Sequence, residues 1–174
     1  LGYKEAPCRI YVDLTQTQEA ELYELLNKNK KISFDSIFKS RLLRGEAKAK
    51  AINMAVEQVN YHLDPEHKHK GQERKDTHFY IQSMSEMERI YKKGGVTLIM
   101  DTLRFVQTTW APDYLGNQQQ VIAGVATFLQ TYPEANLKEM TERLQKQGVA
   151  KTIQNSVQWT AVHGKGAGSN SRGK

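Results

Sequence analysis

The run from Thr15 to Ala55 constrains this chain more than any other stretch. Its apolar residues recur at three- and four-residue steps, and its breaks carry helix-ending chemistry. It therefore has to fold as successive short helices rather than as sheet. Thr15 and Gln18 have the spacing of a capping box, and Glu19 and Glu21 suit a helix N-terminus. Leu22, Tyr23 and Leu26 follow on one face, with Ala20 beside them. The helix ends in Asn27-Lys28-Asn29-Lys30-Lys31, whose lysines favour the negative end of the dipole. Ser33 is placed to cap a second helix, with Asp35 and Ser36 in its first turn and Phe34, Ile37, Phe38 and Leu42 as its apolar stripe. Gly45 is the residue type that stops a helix in the left-handed conformation. A third helix, Glu46 to about Asn60, is expected to bury Ala51, Ile52, Ala55, Val56 and Val59.

On either side of this run the pattern changes. Cys8, Ile10, Val12 and Leu14 alternate with Arg9, Tyr11 and Asp13, the period of a half-buried strand. A lone strand is unstable, so its partners lie upstream of Leu1, in a second chain, or in a short hairpin later on. Tyr61 to Thr77 holds Pro65, Gly71, three histidines and eight charges, which predicts a loop. That loop would be the turn of a small hairpin between Val59–Leu63 and His78–Ile81. Ser85 and Glu88 suggest a capping box for a helix ending at Gly94-Gly95. Further helices are expected over Val96–Trp110, stopped by Ala111-Pro112, and Asn117–Tyr132, stopped by Pro133. Asn136 caps another, running to Gln147-Gly148, and a short one follows from Val149 to about Val157. Ala161–Lys174 is rich in Gly, Ser and Lys and is expected to be disordered. The expected fold class is mainly α, about seven helices with one N-terminal strand. The segments are 1–60, a loop or hairpin at 61–81, a helical bundle at 82–160, and the tail at 161–174.

Hydrophobic residues make up 39% of the 174 and charged residues 25%, as in an ordinary globular protein. The longest uncharged stretch, Tyr114–Pro133, is too polar to span a bilayer. Leu1–Arg9 has no apolar core of a signal peptide, and a single cysteine, Cys8, allows no internal disulfide. The expected location is the cytoplasm. A start at Leu1 rather than Met leads us to expect a fragment or a processed chain.

Candidate chemistry is sparse. His62, His67, His69 and His78 share one region, but lysines flank His67 and His69, and Cys8 is remote, so no metal site is expected. Cys8 fits a buried structural thiol, and no serine lies in a Gly-x-Ser-x-Gly context. Neither Gly94-Gly95 nor Gly164–Gly168 has the phosphate-loop pattern. Glu19, Glu21, Glu86 and Glu88 are read as helix-start carboxylates, and Trp110 and Trp159 as core. No catalytic residue and no cofactor is expected, and the chain is not read as an enzyme. Nucleic-acid contact is the open case. The net charge is +6, and Lys28, Lys30 and Lys31 in a turn, with Lys39, Arg41 and Arg44 on the next helix, would form one basic patch.

Residues 8–54 also carry a recurring pattern: Glu19-Ala20, Leu22-Tyr23, Leu26-Asn27, Asn29-Lys30-Lys31, Asp35, Phe38-Lys39, Gly45-Glu46, Ala49 and Ile52. Later come Glu88-Arg89-Ile90-Tyr91, Gly94-Gly95, Leu98, Leu103, Trp110, Val121-Ile122-Ala123-Gly124 and Phe128-Leu129. Together these resemble phage and mobile-element proteins of the ParB N-terminal domain superfamily, over roughly Gly2 to Gln147. The resemblance implies the C-terminal helical part of such a protein, associated with DNA in its maintenance or regulation. The superfamily's Asp-Gly-x-His-Arg or Gly-Glu-Arg-Arg type motif precedes the strand and occurs nowhere in this chain. Nucleotide binding or nuclease activity is thus implied for no residue present. The alternative is a module without nucleic-acid binding. It would self-associate or bind a protein partner through the helices around Trp110 and Val121–Leu129.

Overall fold

The computed structural model describes residues 11–26, 33–65 and 79–163. It is mainly helical, and the breaks fall where the capping chemistry places them. Helix α1 spans Gln16–Leu26 behind a complete capping box. Gln18 N–H donates to Thr15 Oγ1 at 3.3 Å, and Thr15 N–H returns a bond to Gln18 Oε1 at 3.0 Å. Helix α2, Phe34–Leu43, starts at Ser33, whose Oγ accepts the Ser36 N–H at 3.2 Å. Gly45, at φ +77°, turns the chain into α3, Ala47–Glu57. The buried face of α3 is Ala49, Ile52, Ala55 and Val56, so Ala49 takes the core position expected of Ala51.

The expected hairpin is not one. Strands β1, Tyr61–Leu63, and β2, Phe79–Ile81, pair in parallel, Tyr61 opposite Phe79 and Leu63 opposite Ile81. A parallel pair needs a crossover of about a dozen residues or more, and the chain between these strands is long enough to supply it. The expected strand at 8–14 is described only from Tyr11 on. There it is irregular, with Asp13 at φ 60°.

Helix α4 runs from Met84 to Trp110 as two limbs, and the expected break at Gly94 and Gly95 is present as a non-helical kink between them. Gly95 adopts φ 66°, ψ −158°, a region essentially closed to residues with a Cβ. The helix begins at Met84, and no capping box forms at Ser85 and Glu88. A 3-10 turn over Tyr114–Asn117 leads to α5, Gln119–Thr131, and then α6, Leu137–Gln147, capped by the Asn136 side chain. Helix α7 covers Val149–His163, longer than expected, and takes in the first three residues assigned to the tail. No described helix is long and apolar enough to cross a membrane.

Two apolar clusters follow from this order. The first joins Phe38, Ile52 and Val56 to Tyr61, Ile81, Met84, Met87, Ile90, Ile99, Leu103 and Ile122. The second gathers Phe105, Val106, Trp110, Val125 and Val149, with Met140, Leu144 and Ile153 against them. Trp110 is a core residue, and the apolar faces of α4 and α5 around it pack on α6 and α7. The side chain of Trp159 lies outside the described residues.

Candidate nucleic-acid interface

Lys28, Lys30 and Lys31 lie outside the described residues, whereas Lys39, Arg41 and Arg44 lie on or at the end of α2. Arg41 and Arg44 are three residues apart and therefore share one side of α2, whereas Lys39 does not. The shared side faces the body of the protein. Arg41 Nη1 donates to Glu88 Oε1 at 3.0 Å, and its Nε lies 3.6 Å from Glu46 Oε2. Lys48 Nζ holds the other oxygen of Glu88, Oε2, at 2.7 Å. The four groups carry two positive and two negative charges, so this end of α2 is neutral as a unit. Arg44 Nη2 donates to Glu24 Oε1 of α1 at 2.9 Å, a second neutral pair.

Lys39 instead lines an open cleft of about 840 Å³ between α1 and α2, together with Glu19, Tyr23, Asp35 and Pro65. The floor of the cleft is fixed by Ser40, buried on α2, whose hydroxyl donates to the Ala20 carbonyl at 3.2 Å. The structure thus does not join Lys39, Arg41 and Arg44 into one exposed cationic face.

Charge on the described residues points the same way. They carry 13 Lys and Arg against 15 Asp and Glu, whereas the remaining segments carry 12 against 4. The basic excess of the protein therefore comes mainly from residues 27–32 and 164–174, with three bases and no acid each, while 1–10 and 66–78 add one net positive charge each.

Glu88 is the group that the sequence misassigned. Read as a helix-start carboxylate, it sits inside α4 with a side chain only 7% exposed. Its position was visible in the spacing: Met84, Glu88 and Tyr91 fall four and three apart on the core side of the helix. Its neighbour Glu86 is also buried and is held by Arg89, with Nε and Nη2 donating at 2.7–3.1 Å.

No group of three or more His, Cys, Asp or Glu suited to a metal ion occurs among the described residues. His62 stands on β1 near the Tyr80 ring, at 5.9 Å between centroids. His67, His69, His78 and Cys8 lie outside the described residues.

Searches of curated proteins and of solved structures each return no match to this chain. The model of a family of unknown function, DUF6551, matches residues 4–164, nearly the whole length, and the protein belongs to that family.

Proposed function

We propose that this protein associates with DNA as a non-catalytic helical module, in the manner of the ParB-like proteins it resembles, in the maintenance or regulation of phage or mobile-element DNA. The contact is electrostatic and is made by Lys28, Lys30 and Lys31, together with Lys39 of α2. Arg41 and Arg44 serve the fold. The observation that carries this reading is the clustering of charge in the sequence, where Lys28, Lys30 and Lys31 stand with no acid between Glu24 and Asp35. Clustered lysines suffice for phosphate contact, which needs charge and little geometry.

The counting has a measurable consequence. Each phosphate neutralised adds about −0.9 to the slope of log K against log salt, so four lysines give about −3.6 where all six cations would give about −5.4. Fluorescence anisotropy with a generic duplex, titrated across salt, reads the slope directly. The triple variant Lys28→Gln, Lys30→Gln, Lys31→Gln is expected to flatten it by about 2.7, and Arg44→Gln to leave it unchanged. A slope unmoved by the triple variant overturns the reading.

A further inference from the structure

Helix α6 buries none of its residues, whereas α5, of similar length, buries Ile122, Val125 and Ala126. It holds to the core by the half-buried Met140 and Leu144 and by Gln145, whose Nε2 donates to the Thr108 carbonyl at 2.9 Å. An open groove of about 680 Å³ lies between its first turns and α4, bounded by Leu98 and Phe105 on one side and Leu137 and Thr141 on the other. A second hollow of about 510 Å³ opens at the connection from α5, beside Phe128, Tyr132, Pro133 and Ala135. Segments with so few buried contacts are the first to open.

This helix can leave the core without unfolding. Asn136 Oδ1 accepts the Glu139 N–H at 3.2 Å, and Glu139 pairs with Arg143 one turn on. Its far end is fixed to α7. Gln147 Nε2 donates to Thr152 Oγ1 at 3.0 Å, and that hydroxyl donates to the Gly148 carbonyl at 2.9 Å. The two helices therefore form one rigid corner, joined to the body through residues 132–136 and through Val149, 2% exposed in the second cluster. What the corner closes favours its release. Trp110 is buried in that cluster with its indole N–H unbonded among the described residues. Asn117 Oδ1, on the 3-10 turn against which α7 packs, is unbonded as well. Burying such groups without partners is unfavourable, and water removes that cost on opening. We infer that α6 and α7 form a lid that swings about residues 132–136. It lifts as a unit from Phe105, Val106 and Trp110 while the rest of the molecule stays folded. The open form is a minor state and leaves thermal melting a single step. No lysine of the proposed DNA contact takes part.

Native-state hydrogen exchange tests this on the whole chain, followed by NMR in urea below the unfolding transition. Amides of α6 and of residues 149–157 are expected to exchange through one common opening, about thirtyfold or more faster than those of residues 99–105 in α4. Their urea dependence is expected to be weaker than that of global unfolding, because less surface is exposed. The Trp110 indole proton is expected to exchange with the lid amides rather than with the α4 backbone. Gln145→Ala, at an exposed position, removes the bond to Thr108 and is expected to speed lid exchange about fivefold with α4 unchanged. Exchange of α6 and α7 only through global unfolding overturns the inference. So does independent opening of the two helices, an indole proton that follows α4, or a Gln145→Ala variant that speeds α4 as much as the lid.

Discussion

Replacing Glu88 by Gln removes one charge from the centre of the α2–α3–α4 junction while keeping the shape of the side chain. In the native structure its two oxygens take charged donors from different helices, Arg41 at 3.0 Å and Lys48 at 2.7 Å. Breaking a fully buried ion pair costs about 3–5 kcal/mol, because the surviving charge is stranded. Here the survivors are not stranded. The Arg41 side chain is 32% exposed and that of Lys48 27%, so both can turn toward water. The glutamine also keeps one acceptor for one of them. The expected loss is therefore about 2–3 kcal/mol, below the buried-pair range and above that of a surface pair. For a chain of this size that lowers Tm by about 4–12 °C. Urea unfolding followed by far-UV circular dichroism would give the loss directly, with an unchanged m-value showing that the native state is intact. Replacing all three residues together by methionine is expected to recover most of the loss, since an apolar triad of similar volume needs no charge partner. A Glu88→Gln variant within about 0.5 kcal/mol of wild type would refute the view that this carboxylate ties the three helices together.

Three further outcomes are expected. Tyr61 is fully buried with its hydroxyl unbonded among the described residues, so Tyr61→Phe is expected to raise stability by about 1 kcal/mol in urea unfolding. Burial pushes this phenol well above its ordinary value of 10.0. The unfolded chain therefore loses its proton first, and stability falls as pH rises past that ordinary value, by up to about 1.4 kcal/mol per pH unit. Thermal melts of the Phe variant should lack this alkaline component. Gly95→Ala meets no atom within 4 Å, so its cost is purely conformational, about 1–3 kcal/mol for the backbone that only glycine tolerates. Ser40→Ala removes the bond to the Ala20 carbonyl and is expected to speed amide exchange in α1 while leaving exchange in α4 at its native rate.

The helices were legible in the sequence because their caps act locally. Thr15 with Gln18, Ser33, Gly45 and Asn136 each do in space what their spacing says. What was not legible depends on residues far apart in the chain. The pairing of Tyr61–Leu63 with Phe79–Ile81 could be placed, but its direction could not, because the same alternation serves parallel and antiparallel strands. Arg41 and Arg44 looked like a surface patch because their partners, Glu88 and Glu24, lie 47 and 20 residues away. The apolar stripe of α1 was visible too, but periodicity tells which side of a helix is apolar and not whether the rest of the chain comes to cover it.

Helix α4 contributes to both apolar clusters, Met87 and Ile90 to one end and Phe105, Val106 and Trp110 to the other. Such a shared beam makes the two halves mechanically inseparable. A cut after Pro112 would strip α5 and α7 from the far limb and leave Trp110 facing water. A cut before Met84 would remove the wall against which Ile52 and Val56 rest. The molecule is therefore expected to melt in one step despite its two centres, and neither half should survive alone as a soluble piece. The Gly94–Gly95 elbow lies within the first cluster, with Met87 and Ile90 before it and Ile99 and Leu103 after it, so it sets the angle at which the two limbs of that beam close on one core.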